Sequence, residues 1–294
     1  MPYYTQCPIC SCATLTPYLT VQDESISNQQ FNLVQCPQCN VVLTQDAPNQ
    51  DDIAAYYAST NYVSHTNTKR GIINYIYHKV RTITLRQKLK WITQYTQLKQ
   101  GNILDIGAGT GAFIQLMNKH QWHSTGIEPD ASARTIAANV HNVTLLSTTA
   151  LKRLPHYQYH AITLWHVLEH VHELNEYGTM LHNLLHTNGK IFIAVPNYTS
   201  YDAQHYKAKW AAYDVPRHLY HFSPRSIEQY AAKHGFNLIA TKPMWYDSVY
   251  VSMLSEKYKK GNILKAITIG YISNLKALFN IKNCSSLVYI LQKK

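Results

Sequence analysis

Three sets of residues in this 294-residue chain have the types and spacing to do chemistry. The first is the stretch LDIGAGTGAFI, residues 104–114, where Asp105 leads into Gly107, Gly109 and Gly111. Glycines let a backbone come close to a ligand, and the free N–H groups of a helix that follows attract an anionic group. Glu128 ends a second stretch, HSTGIEP, 21 residues beyond Gly107, at the separation where a carboxylate can bind the two hydroxyls of a ribose. The second set is two CxxC corners, Cys7 with Cys10 and Cys36 with Cys39, with 25 residues between them. Four thiolates on two tight turns suit one tetrahedral Zn2+ with no position left for water, which makes the site structural. A redox thiol pair is the rival reading, Cys12 could replace Cys10, and the lone Cys284 reads as a small buried apolar residue. The third set lies in ITLWHVLEHV, residues 162–171, with Trp165, His166, Glu169 and His170, and in DVPRHLYHFSP, residues 214–224, with Arg217, His218 and His221. Histidines and a carboxylate of this kind can move a proton or hold a cation.

These residues need elements to position them. NILDIG reads as a buried parallel strand and AFIQLMNKH as the helix after it. Gly107, Gly109 and Ala112 also satisfy the dinucleotide pattern GxGxxG/A, so the glycines alone leave a nicotinamide cofactor open. Asp105 points elsewhere, because a carboxylate at the strand's end holds a cationic amino group and repels a pyrophosphate. Taken in order, LDIGAGTGAF, GIEPD, ITLWHVLEHV and GKIFIAVPN resemble the motifs of class I S-adenosylmethionine-dependent methyltransferases, over residues 95–294. The resemblance implies an α/β, Rossmann-like fold: a seven-stranded sheet with helices on both faces and an antiparallel last strand. FNLIATKPM and SSLVYILQ would supply strands six and seven, around a helical insertion at about 247–283. Ser223 and Pro224 mark the start of a helix that Gly235 ends.

By the same resemblance Asp105, Gly107, Gly109 and Gly111 hold the methionine moiety of S-adenosylmethionine, Glu128 holds its ribose, and Trp165 and His166 face the cofactor cleft. Two departures stand out. No Asp or Glu occurs between Asp130 and Glu169 to take the adenine amino group, which leaves Thr148, Thr149 or backbone, and His160 stands where relatives often carry Asp.

Methyl transfer from a sulfonium is an in-line displacement, driven by alignment, that needs a base only if the acceptor must lose a proton. His166 and His221 are the base candidates. If a helix starts near Val167, then His166, Glu169 and His170 share one face. That trio partly resembles the acid-x-x-Glu-His pattern of metal-dependent quinone O-methyltransferases; in the plainer reading Glu169 favours a helix N-terminus and His170 packs beneath the sheet. Arg217 would pair with a phosphate or carboxylate of the acceptor. Tyrosine, at 23 residues, suits a sugar or aromatic acceptor, although core and interface use is commoner.

The chain therefore divides into a zinc-ribbon-like module (1–45), a basic helical arm (46–95) and a methyltransferase domain (96–294). The interval between Asp52 and Asp105 carries eight Lys and Arg and no acid, and in the arm Ile72, Ile76, Val80 and Ile83 recur at helical spacing. A net charge of +11 suits an anionic membrane surface, an anionic substrate or nucleic acid. The N-terminus has no secretory pattern and no window is apolar enough to span a bilayer, so a cytoplasmic protein is expected. The leading expectation is methylation of a small molecule: a sugar, a glycolipid or an aromatic metabolite. Sugar C-methyltransferases also carry a four-cysteine zinc module ahead of this fold. The alternatives are a zinc-ribbon methyltransferase acting on RNA or DNA, a noncatalytic module and an NAD-dependent oxidoreductase. Nucleic acid is disfavoured, because strand four lacks an Asp/Asn-Pro-Pro-aromatic ending.

Overall fold

The computed structural model describes residues 3–57 and 72–294, with side chains of the first helix from Lys79 onward. Lys69, Arg70 and Ile76 of the arm fall outside the described residues or side chains. The chain forms two compact units, one of Met1–Tyr62, His166–Thr179 and Ile193–Ile290, the other of Val63–Trp165, Met180–Phe192 and Leu291–Lys294.

In the first unit, β1 (Thr16–Gln22) and β2 (Gln30–Gln35) pair antiparallel around a turn organised by Asp23, whose carboxylate accepts backbone N–H bonds from Ser25, Ile26 and Ser27. β3 (Val42–Thr44) pairs with β2 and also with β8 (Tyr220–His221), Leu43 opposite Tyr220 and Val42 opposite His221. Alternation along these strands sends Val21, Phe31, Leu33 and Val42 inward, where they join Tyr198, Tyr206, Trp210, Tyr213 and Val251 in one apolar core. The amino-terminal strands thus share their apolar core with residues 198–269.

The larger sheet has the order β5-β4-β6-β7-β10-β9, six strands rather than the seven expected. In the second unit α1 (Ile72–Thr96) precedes β4 (Asn102–Ile106), α2 (Ala112–Lys119), β5 (His123–Ile127), α3 (Ala131–His141) and β6 (Tyr159–Trp165). β4 runs parallel to both neighbours, with Asp105 level with Gly126 of β5 and Thr163 of β6. The missing strand is the stretch after α3. Asn142 turns left-handed at the helix end, Val143 and Leu145 bury against Ile114 and Ala137, and Ser147 already leads into a 3-10 turn. Only Leu146 pairs, donating to Gly126 O and accepting from Glu128 N at 2.9 Å each, so the edge strand shrinks to a single rung.

The chain continues through α4 (Leu174–Leu184), β7 (Leu185–Pro196), α5 (Tyr201–Tyr206), α6 (Pro224–Lys233) and β9 (Phe236–Pro243). α6 begins as its sequence requires, with Ser223 in a capping box with Ser226 and Pro224 in the first turn. α7 (Asp247–Tyr258) and α8 (Ile263–Phe279) form a helical pair before β10 (Ser286–Lys293). Among the described residues, no helix is long and apolar enough to cross a membrane.

Candidate functional site

The glycine turn is stitched to the end of β5: the N–H groups of Gly107 and Ala108 both donate to Ile127 O, at 2.8 and 2.9 Å. Gly107, Gly109 and Gly111 all have positive φ, the left-handed region that favours glycine. Their surroundings differ. A side-chain carbon on Gly109 would meet nothing within 4 Å, whereas one on Gly111 would lie 2.5 Å from Val143 and 3.0 Å from Ala137. Gly109 therefore leaves room for a ligand, and Gly111 lets α3 and the following segment pack on the start of α2.

Two carboxylates flank this turn. Asp105 is buried at the end of β4, accepting a 2.6 Å bond from Thr163 Oγ1. Burial pushes its carboxyl up to about 7, against the lowering effects of Thr163 and of the Lys88 charge. Glu128 accepts Gly109 N–H at 2.7 Å on one oxygen and Asp130 N–H at 3.0 Å on the other. Burial raises its carboxyl too. A carboxylate offers about four acceptor positions, so these two bonds fix its orientation and leave two for a diol. Leu146, exposed, forms the rung next to Glu128, and Ser147 Oγ lies 2.7 Å from Thr149 Oγ1. His160 sits at the other end of the strands, accepting Asn102 N–H at Nδ1 and stacked on His186.

Two basic side chains of α1 reach the turn and its neighbour Trp165. Arg81 donates to Thr110 Oγ1 at 3.1 Å, and Lys88 Nζ stands 4.2 Å from the ring of Trp165. Trp165, half-buried at the end of β6, meets Phe113 edge-on, and its indole N–H is buried with no hydrogen-bond partner among the described residues. Sequence reasoning gave Arg81 and Lys88 only to a charged arm; the one signal for a site role was the absence of any acid around them.

The first unit holds a separate cluster of titratable groups. His166 has φ +58, and only a 3-10 turn, Leu168–His170, follows it. The expected shared helix face for His166, Glu169 and His170 is therefore not formed. His166 instead lies between Asp247, 3.2 Å from Nε2, and Glu169, 3.4 Å from Nδ1. Burial acts to lower its pKa, but the two carboxylates outweigh burial and raise it to about 10. His170 turns the other way, its Nδ1 3.0 Å from Arg217 O and from Tyr57 Oη, and burial beside His218 brings it down to about 4. His218 Nδ1 meets Ala212 O at 2.9 Å. In both rings the carbonyl fixes a proton on Nδ1, and in the neutral His170 this leaves Nε2 as an acceptor. Neither oxygen of the buried Glu169 has a hydrogen-bond partner among the described residues. Glu169, His170 and His218 each offer an atom within 4.8 Å of the others, so His218 takes the place expected for His166.

Arg217 is not available to an acceptor. It is fully buried, paired with Asp214 at 2.6 Å and Asp23 at 3.4 Å, and donates to Tyr56 O. His221 is buried in β8, with Nε2 3.0 Å from Thr44 Oγ1, whose own proton goes to His218 O. Burial lowers its pKa well below the ordinary value.

The four cysteines converge. Cys7 and Cys39 sulfurs lie 3.5 Å apart, Cys10 and Cys36 sulfurs 3.4 Å apart, and all four are within 4.8 Å of one another. These spacings exceed a disulfide and approach the roughly 3.8 Å edge of a tetrahedron with 2.3 Å metal–sulfur bonds. Cys12 lies outside the cluster and donates to Thr14 O, and Cys284 is a buried core residue.

A family model described as a methyltransferase domain matches residues 77–241, more than half of the chain. A search of curated protein sequences finds no match. Among solved structures, the chain is similar to a S-adenosylmethionine-dependent methyltransferase from Archaeoglobus fulgidus, at 17% identity and TM-score 0.50, over 76% of this chain and 100% of that one. It is also similar to phosphoethanolamine N-methyltransferase 2 of Haemonchus contortus, solved in complex with S-adenosyl-L-methionine, at 16% identity and TM-score 0.50 over 71% of this chain. The match spans about half of the Haemonchus enzyme, 52% of its chain.

Proposed function

Because the chain belongs to the class I S-adenosylmethionine-dependent methyltransferase family, we propose that it methylates a small molecule, namely a sugar, a glycolipid or an aromatic metabolite. One observation carries the cofactor side: the open flank of Gly109 lies on a turn that Glu128 holds directly and that Asp105 leads into. In this reading Asp105 faces the cationic amino group, the two remaining acceptor positions of Glu128 take the ribose hydroxyls, and Gly107 and Gly109 let the backbone close in. Arg81 pairs with the methionine carboxylate, and Leu146 and Thr148 or Thr149 cover the adenine in place of an acid. Gly111 serves by packing.

S-adenosylmethionine held by Asp105, Gly107, Gly109 and Glu128 would supply an electrophilic methyl group on a cationic sulfur, for in-line transfer to the acceptor. A hydroxyl or carbon acid needs a base, and within the first unit His170, neutral and with Nε2 left as an acceptor, is the group able to take the proton. His166 does not take it: raised to about 10, the imidazole is already protonated at neutral pH. His221 is walled into β8. Replacing His170 with Gln should lower turnover by about 10²- to 10⁴-fold, with S-adenosylhomocysteine binding within about twofold of wild type. Unchanged turnover would remove the base.

The Glu169 carboxylate, ion-paired with His166 but accepting no hydrogen bond among the described residues, favours a second reading, in which Glu169, His170 and His218 would hold a divalent cation that neutralises charge on the acceptor. Both imidazoles already donate Nδ1–H to carbonyls, as metal-bound histidines do. Turnover abolished by a chelator and restored by Mg2+, Mn2+ or Zn2+ would select it over the base. The four amino-terminal thiolates would hold a structural Zn2+.

A further inference from the structure

A soluble helix normally turns its large apolar residues inward, and α8 does the reverse. Its buried face is built from small residues, Ala266, Gly270, Ser273 and Ala277, together with Ile269. Gly270 packs so tightly that a side-chain carbon there would lie 2.7 Å from the Val249 backbone, so α7 and α8 touch almost backbone to backbone. The large residues are left outside. Leu264, Ile267, Tyr271, Leu275 and Leu278 recur at three- and four-residue steps along one stripe, and Phe279 extends it. Leu264 is 75% exposed, Leu278 68% and Phe279 94%, far from the scattered single apolar residues that ordinary surfaces carry.

Basic charges outnumber acidic ones around the stripe, where Lys282 pairs with the exposed Glu228. Lys260, Lys265, Lys276 and Lys282 are exposed on or beside α8. The only acids of residues 247–283 are withdrawn: Glu256 is buried beside Lys265, and Asp247 is ion-paired with His166. We propose that α8 with its flanking lysines lies on an anionic phospholipid surface, its apolar stripe entering the headgroup and acyl boundary while the lysines meet the lipid phosphates. A second copy of the chain is the poorer occupant, because two-fold pairing through this face would set one lysine rim against the other. The assignment rests on α8 alone and is independent of the methyltransferase reading.

The test is sedimentation of the full chain with vesicles, without cofactor, using phosphatidylcholine alone and phosphatidylcholine mixed with phosphatidylglycerol. The chain should bind the mixed vesicles at least about tenfold more tightly than the neutral ones, and less so as salt rises. A Leu264→Glu, Leu278→Glu double variant should lose about tenfold or more of that binding. The substituted side chains are exposed, so melting should stay close to wild type; if the double variant melts early, Phe279→Ser, at the exposed end of the helix, replaces it with the same expected direction. Equal binding of neutral and anionic vesicles, or full binding by the variants, would overturn the proposal. So would a concentration-dependent dimer, in the absence of vesicles, that the same variants abolish.

Discussion

Asp105 is the residue whose chemistry is most exposed to measurement. Its carboxyl stands at about 7 in the folded chain because burial outweighs the Thr163 hydrogen bond, against roughly 3.9 in an unfolded one. Between those values the folded chain keeps a proton that the unfolded chain has released, so this group's contribution to stability is complete below about pH 4 and is lost as pH rises through 7. A cation docked at Asp105 favours the ionised form. Binding of S-adenosylmethionine near pH 6 should therefore release up to about one proton, read by calorimetry in buffers of different ionisation enthalpy. Asp105→Asn should abolish the release, and equal release by the variant would place the titrating group elsewhere. Asp105, Glu128 and the glycines were legible in the sequence because a strand, a turn and the next strand fix them within a short stretch. His166 was not, since its partner Asp247 arrives from a distant helix and reverses its protonation. Nor was Arg217, whose partners Asp23 and Tyr56 come from the far amino-terminal end.

At the scale of elements, the glycine turn separates two jobs that one motif conceals. Ala at 109 meets empty space and bears only the cost of its left-handed backbone, about 1–2 kcal/mol. Ala at 111 bears that cost and also collides with Val143 and Ala137, for roughly 2–4 kcal/mol in all. Denaturant unfolding should thus show Gly111→Ala as the less stable protein, and calorimetry should show Gly109→Ala as the weaker binder of S-adenosylhomocysteine. The opposite ranking would mean that the ligand lies against Gly111. Motif order was enough to place β4 to β7, β9, β10 and the insertion helices. The resemblance overstated the sheet by one strand, because the turns at Asn142 and Ser147 leave the stretch after α3 one rung. Periodicity found α1 as well, but not that Arg81 and Lys88 reach the glycine turn, a matter of tertiary placement.

For the whole molecule, the proposed cofactor residues Asp105, Gly109 and Glu128 lie in one unit, and the cysteines lie with His170 and His218 in the other. The amino-terminal segment belongs to that histidine cluster through Tyr57 on His170, Thr44 on His221 and Asp23 on Arg217. Metal analysis should find one Zn2+ per chain. A Cys36→Ser, Cys39→Ser variant should melt earlier and lose turnover about tenfold or more while binding S-adenosylhomocysteine within a few-fold of wild type. Unchanged melting and turnover would deny the cysteines a structural role. The pairing of thiols was legible in their spacing; the shared core with residues 198–269 was not, because nothing local in the sequence links Phe31 to Trp210. The most direct test of the central claim, that Asp105 and Glu128 grip one sulfonium nucleoside across the glycine turn, is calorimetric titration of the wild-type chain and Glu128→Ala with S-adenosylhomocysteine and with NAD. The account predicts saturable binding of S-adenosylhomocysteine, weakened at least about tenfold by Glu128→Ala, and no binding of NAD. Binding of NAD, or an affinity for S-adenosylhomocysteine that Glu128→Ala leaves unchanged, would contradict it.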